Sequence, residues 1–420
     1  MTSLAPAPHV TEADTLWTER LSERVHGARR SLIRELLKLV DQPDVISFAG
    51  GLPAPDVFPR DEIEGATLRV LREQGAVALQ YGPTEGYLPL RELLVRHMNR
   101  YGIRVRPENV LVTCGAQQGL DLVGRLLLNP GDAVVTEAPT YMGAIQAFGA
   151  CQARFITVPG DDDGMRVDLL EEALRAAPKF VYLLPNFQNP SGTTLSAERR
   201  QRVIELASHY GTPVVEDDPY GQLRYEGRHL PALVKLDADY HGCAHGERAL
   251  RGGVVYLGTL SKLLAPGLRV GWVVAPDNVI SRLVLLKQGA DLHTSSFTQM
   301  VAHETARSGF LDRHVARIRE FYGQRRNVML EALGRSMPAG VRWTRPQGGL
   351  FLWVTLPEGL DSASLLQDAL AERVAFVPGH GFFPNGGGER TLRLNFSYCG
   401  PDQIEEGIRR LGAVIARRMH

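Results

Sequence analysis

Apolar and polar positions fall into two rhythms along this chain, and the change of rhythm divides it. Residues 29–40 place Leu32, Leu36 and Leu39 on one face at helical spacing, which predicts a helix. Pro43 follows, then a short apolar run to Phe48 and the turn-rich Gly50-Gly51-Leu52-Pro53-Ala54-Pro55. From about residue 61 to 290, short β-branched runs alternate with helical stretches. The predicted strands are Val110–Thr113, Ala133–Glu137, Arg154–Val158, Phe180–Leu184, Pro213–Asp217, Val254–Gly258 and Val270–Ala275. The helices between them include Ala116–Leu128 and Ala197–Tyr210. Uniformly apolar strands separated by helices predict a mostly parallel sheet in an α/β/α layered domain.

After Asp277, two long helical stretches reach about residue 335. A second alternation follows, with strands near Val341, at Leu350–Thr355, near 374–377 and near 391–396, and helices near Ser362–Glu372 and from Pro401. It predicts a smaller α+β lobe. On this pattern residues 1–15 are a mobile tail and 16–60 an N-terminal helix and arm belonging to the small domain. Residues 61–290 make the large domain, and 291–420 the linking helices and the C-terminal small domain.

Composition removes several function classes. A chain of 420 residues exceeds one typical core and fits two lobes. Basic and acidic residues both number 47, so no net field recruits nucleic acid or a membrane surface. No apolar run reaches the roughly 18 residues of a membrane span. Met1 to Thr15 lacks the basic start and apolar block of a secretion signal. Cys114, Cys151, Cys243 and Cys399 are scattered, which fits reduced thiols in a cytoplasmic protein better than disulfides. The Gly-rich stretch from Asp237 to Gly253 is predicted to be a surface loop. His241, Cys243 and His245 within it lack a fourth donor in register, so no metal site is expected.

The chemistry begins at Gly258-Thr259-Leu260-Ser261-Lys262, which ends the apolar run from Val254, with Arg269 beyond Pro266-Gly267. A lysine placed this way can form an imine with an aldehyde cofactor, and the hydroxyls and arginine can hold that cofactor's phosphate. Other strand ends supply what pyridoxal 5'-phosphate further requires. Strand Val110–Thr113 leads through Gly115 into a helix whose first amides, at Ala116 and Gln117, can face an anion. Tyr141 follows another strand, at the carboxyl edge where open α/β sheets bind ligands, and can stack on a ring. Asn189, held extended by Pro190, can donate to the phenolic oxygen. Val214-Val215 runs into Glu216-Asp217-Asp218, three consecutive carboxylates that make poor packing. They make sense if Asp217 keeps the pyridine nitrogen protonated, and Tyr220 can reach the phenolic oxygen.

With these residues in view, the chain resembles the fold-type I pyridoxal-phosphate-dependent aminotransferases, and within them the branch of 2-aminoadipate (kynurenine-type) aminotransferases. The resemblance runs from about residue 16 to the C-terminus. It is carried by Phe48-Ala49-Gly50-Gly51-Leu52-Pro53, Tyr81-Gly82-Pro83-Thr84-Glu85-Gly86, Asn189-Pro190, Asp217 with Tyr220, Ser261-Lys262 with Arg269, and Arg393-Leu394-Asn395-Phe396. It implies that Lys262 is the Schiff-base lysine and that Thr259, Ser261, Arg269, Ala116 and Gln117 hold the phosphate. It gives Tyr141 the stacking role, Asn189 and Tyr220 the phenolic oxygen, and Asp217 the pyridinium. Arg393 would fork the substrate α-carboxylate, Gly51 would touch that carboxylate through its backbone, and Tyr81 would reach the phosphate of the neighbouring subunit. Thr259 stands where many relatives have serine, and the 237–253 stretch looks longer than usual.

The expected activity is therefore amino-group transfer by a homodimer with shared active sites. An L-amino acid (2-aminoadipate, glutamate, aromatic or branched-chain) would donate to a 2-oxo acid such as 2-oxoglutarate. Arg34, offset from the apolar face of the 29–40 helix, would fork a distal substrate carboxylate. Racemases, lyases and decarboxylases can use the same site. A cofactor-sensing regulator on this fold needs an added DNA-binding domain, and about 15 residues precede the resemblance. Gly379-His380-Gly381 and Gly386-Gly387-Gly388 do not sit in the strand–Gly-x-Gly-x-x-Gly–helix unit of a dinucleotide-binding dehydrogenase.

Overall fold

The computed structural model describes residues 17–26, 44–242 and 250–419. The predicted 29–40 helix, with Arg34, lies outside the described residues, as do Cys243 and His245. An eight-stranded sheet forms the centre of the large lobe. Its spatial order is Val110–Thr113, Gly271–Val274, Val254–Thr259, Val214–Asp217, Phe180–Leu183, Ala133–Ala138, Arg154–Asp161 and Gly164–Met165. The five strands from Val254–Thr259 to Arg154–Asp161 pair in parallel. Gly271–Val274 runs antiparallel to both its neighbours, and Gly164–Met165 closes the far edge as a hairpin.

These strands form because each is apolar and β-branched and is covered on both faces. Val110–Thr113, Phe180–Leu183, Val214–Asp217 and Val254–Thr259 are buried along their whole length. The helix Ala197–Tyr210 matches its prediction, because Ser196 caps its start and Gly211, at φ 62°, ends it. Other boundaries moved by one to three residues, as element ends do.

Two expectations need correction. Three helices, Asp277–Asp291, Ser296–Ala306 and Phe310–Ser336, stand where two were expected after Asp277. Ser295 caps the second, and Leu292 takes φ 65° at the break. The stretch 237–253 is not loop throughout, since the helix Leu233–Tyr240 occupies its first four positions. Glu216 anchors that helix by accepting the Leu233 and Val234 amides at 2.8 and 2.9 Å.

A second core belongs to the small lobe. Arg342–Trp343, Phe351–Thr355, Thr391–Asn395 and Val377–Pro378 form an antiparallel sheet, covered by Ser362–Ala371 and Pro401–Arg418. The N-terminal strand Ile46–Ser47 pairs with Val374–Ala375, and Phe48 and Ala49 are buried in this core. The helix Phe310–Ser336 ties the lobes together: Leu311 to Tyr322 lie in the first core, Met329 to Leu333 in the second.

Candidate active site

The strand ends singled out in the sequence meet along one edge of the large sheet. Val110–Thr113, Ala133–Ala138, Phe180–Leu183, Val214–Asp217 and Val254–Thr259 end there, delivering Gly115, Tyr141, Asn189, Tyr220 and Lys262 to the loops beyond. The antiparallel strand brings the one remaining group. Gly271 lies opposite both Thr113 and Thr259, so Arg269, just before it, arrives at the same edge.

One corner is built for an anion. Gly115 caps the helix Ala116–Leu127 at φ 75°, and the amides of Ala116 and Gln117 belong to the first turn, which has no carbonyls behind it. Arg269 lies against Gly115 so closely that a Cβ there would collide with the guanidinium. It donates to the carbonyls of Cys114 and Pro266, both at 3.2 Å. Thr259 Oγ1 is spent on the chain itself, 2.9 Å from Ser261 Oγ and 3.1 Å from the Val270 carbonyl. It braces the loop that presents Ser261. Behind the corner, the buried Lys287 donates to Gln118 at 2.9 Å and Asp291 at 2.8 Å.

A second corner is acidic and aromatic. Asp217 is buried; Tyr182 Oη donates to its Oδ2 at 2.9 Å, while Oδ1 is buried without a partner. Burial pushes its carboxyl up to about 7, against the Tyr182 hydrogen bond, which stabilises the charge. Its two neighbours were expected to pack poorly, and the structure corrects this. Glu216 caps a helix, and Asp218 accepts from Asn186 and Gly221 at 2.9 Å and from Tyr256 at 3.2 Å. Of the three consecutive carboxylates, Asp217 is left with a vacant oxygen. Tyr141 caps the helix Met142–Ala150, its ring lying so near Gly143 that a Cβ there would strike it. Burial, and then Asp217, push the Tyr141 phenol up to about 12.

The third corner faces the small lobe. Arg393 is fully buried and donates to Asn189 Oδ1 at 2.9 Å and to the Ala49 carbonyl at 2.7 Å. Its guanidinium lies 4.2 Å from the Phe351 ring centroid and 5.2 Å from that of Phe382. Its Nε is buried with no partner, and no described carboxylate pairs with it. A buried cation without an anion is costly, so the counter-charge is one the site takes from outside. Lys262 Nζ donates to the Gly51 carbonyl at 2.8 Å. Burial, then the nearby Arg393 and Arg269, lower its ammonium to about 8.

Tyr81 stands apart from these corners, 78% exposed, with its ring edge-on to His293 at 5.8 Å. Arg34 lies outside the described residues. Sequence reasoning missed Tyr182. Its signal was a phenol in the otherwise apolar strand Phe180–Leu183, which needs a buried acceptor.

Lys262, Arg269 and Arg393 thus surround a single site carboxylate with a vacant oxygen. Pyridoxal phosphate carrying an amino acid fits this set: phosphate for the helix start and Arg269, a ring nitrogen for Asp217, a carboxylate for Arg393.

A family model of the class I and II aminotransferases matches residues 51–411. An aromatic-amino-acid aminotransferase of Thermococcus litoralis is 47% identical over 416 residues, covering 97% of this chain and 97% of the relative. A 2-aminoadipate transaminase of Thermus thermophilus is 48% identical over 400 residues, covering 95% and 97%. Among solved structures, an α-aminoadipate aminotransferase of Thermus thermophilus, complexed with N-(5'-phosphopyridoxyl)-L-leucine, aligns with a TM-score of 0.88 at 46% identity. That alignment covers 96% of this chain and 99% of the other.

Proposed function

The chain belongs to the class I and II aminotransferases, and from that premise we propose which residues act and on what substrates. It is an enzyme that transfers amino groups with pyridoxal phosphate. The donors we assign are L-amino acids of the 2-aminoadipate, glutamate, aromatic and branched-chain types, and the acceptor is a 2-oxo acid such as 2-oxoglutarate. The relatives named for aromatic amino acids and 2-aminoadipate, and the leucine adduct of the solved neighbour, support this breadth.

The observation that carries the assignment is the buried Arg393, which lacks an anion while Lys262 lies among its neighbours. Arg393 binds and orients the α-carboxylate, which aims Cα at Lys262. The bound cofactor supplies an electrophilic carbon for the amine and an electron-withdrawing ring. Lys262, with its ammonium lowered to about 8, loses its proton readily near neutrality, so Nζ can attack and can then carry a proton away from Cα. Asp217 holds the proton on the ring nitrogen. Asn189 and Tyr220 hold the phenolic oxygen; Tyr141 lies against the ring; Gly115, Ala116, Gln117, Ser261 and Arg269 hold the phosphate, with Thr259 bracing Ser261.

Two copies complete the site in this reading. Val77, Leu79, Tyr81 and Leu292 are exposed, which is unusual for large apolar groups unless another surface covers them. The two cores and the Ile46–Ser47 pairing support the lobe division drawn from the sequence. No described helix is long and apolar enough to cross a membrane, and the free thiols Cys114, Cys151 and Cys399 support a cytoplasmic setting. The test of function is a donor panel against 2-oxoglutarate. One equivalent of oxo acid should form per glutamate produced. Carbon dioxide, ammonia or a D-amino acid as the main product would replace transfer with decarboxylation, lyase or racemase chemistry.

A further inference from the structure

Asp217 divides its two oxygens between the chain and the site. Oδ2 accepts from Tyr182 at 2.9 Å, and Oδ1 is buried with no partner. The division follows from sheet register. Tyr182 pairs with Val215 across two parallel strands, so Tyr182 and Asp217, two residues on, project from one face. The ring of Tyr182 is fixed from behind by Phe148, edge-on at 5.5 Å. Its hydroxyl has no freedom to seek water, because the residue is fully buried.

We propose that Tyr182 is a positioning residue for amino transfer: by donating to Oδ2 it keeps Asp217 ionised and leaves Oδ1 for the cofactor's ring nitrogen. The inference rests on Asp217 being that nitrogen's partner. An acid and a pyridine share one proton, and its location depends on how well the carboxylate is stabilised. A phenol hydrogen bond to the far oxygen favours the carboxylate and so places the proton on the ring. The groups around Asp217 make this donor matter. Asp218, Tyr141, Tyr220 and Tyr256 lie near, and none is a cation. Glu137, beyond Tyr182, is held up to about 8 by burial and adds no positive charge. Tyr182 itself is pushed well above its ordinary value by burial and by Asp217, so it remains a donor.

The test is Tyr182→Phe in the holoenzyme, which deletes one oxygen and leaves the ring in place. Nitrogen-15 NMR of enzyme loaded with ring-labelled pyridoxal phosphate reads the proton's location directly. Tyr182→Phe should move the ring resonance towards that of unprotonated pyridine and lower kcat roughly ten- to hundredfold with KM little changed, the range for a hydrogen bond to a charged group. Tyr256→Phe removes an equally buried hydroxyl, given instead to Asp218 at 3.2 Å, and should leave the resonance in place. Asp217→Asn separates the two levels of the claim. If it fails to move the resonance, Asp217 is not the ring's partner. If it moves the resonance but Tyr182→Phe does not, or Tyr256→Phe moves it as far, the role of Tyr182 is overturned.

Discussion

Replacing Arg393 with lysine keeps the charge and removes the fork. Arg393 spends two N–H groups on the chain, at 2.9 Å to Asn189 and 2.7 Å to Ala49, while its Nε stays unpaired. A lysine offers three donors from one atom. Satisfying the two buried acceptors leaves one for the substrate, so one of two carboxylate bonds is lost. A hydrogen bond to a charged group contributes about 1.5–3 kcal/mol, which corresponds to a fall in kcat/KM of roughly ten- to 150-fold. An ammonium also cannot lie flat between Phe351 and Phe382, so the effect should fall in the upper part of that range. Steady-state assays with several amino acids and 2-oxoglutarate measure it, with the cofactor's visible absorbance as a control for an intact site. A primary amine without a carboxylate should be unaffected by the change. If kcat/KM for amino acids stays within about threefold of the unmodified enzyme, or the primary amine suffers equally, Arg393 does not read the α-carboxylate.

Asp217→Ala should keep the cofactor attached but weaken the ring's pull on electrons, costing ~2.7–4 kcal/mol of transition-state stabilisation in single-turnover rates; unchanged rates with saturating cofactor would remove its role. Inactive Tyr81→Phe and Lys262→Ala variants should partly regain activity when mixed as heterodimers, and a fully active monomer would end the shared-site claim. Glu137 is a buried carboxyl held at about 8, so the folded protein keeps a proton that the unfolded chain releases above the usual carboxylate range. Its contribution to stability therefore falls as pH rises from about 4 to about 8, by roughly 1.4 kcal/mol per unit. Glu137→Gln should flatten that slope in denaturant titrations of the cofactor-free protein, and an unchanged slope would contradict the burial argument.

The site was legible because each of its groups ends a short apolar strand. A run such as Val214-Val215 passing into Asp217 announces both a strand and a polar edge. What the sequence hid was the use of neighbours. Glu216 and Asp218 looked equivalent to Asp217 until the helix at Leu233 and the hydroxyl of Tyr256 claimed them, across separations no local pattern encodes. Tyr182 was hidden similarly, since strand register alone brings it to Asp217. The break at Leu292 was missed because apolar periodicity continues across it while one residue turns to positive φ. Thr259 was read as a ligand from its hydroxyl alone, and the Val270 carbonyl that occupies it comes from the next strand.

The central claim is that Lys262 is the amine that holds the cofactor. Borohydride reduction of the holoenzyme fixes the aldehyde carbon to whichever nitrogen bears it, and peptide mass mapping then finds that residue. The added mass should fall on the peptide containing Lys262, vanish in Lys262→Ala together with the visible absorbance band, and vanish from the unmodified enzyme once excess amino acid has converted it. Added mass on another lysine, or an undiminished band in Lys262→Ala, would contradict the account.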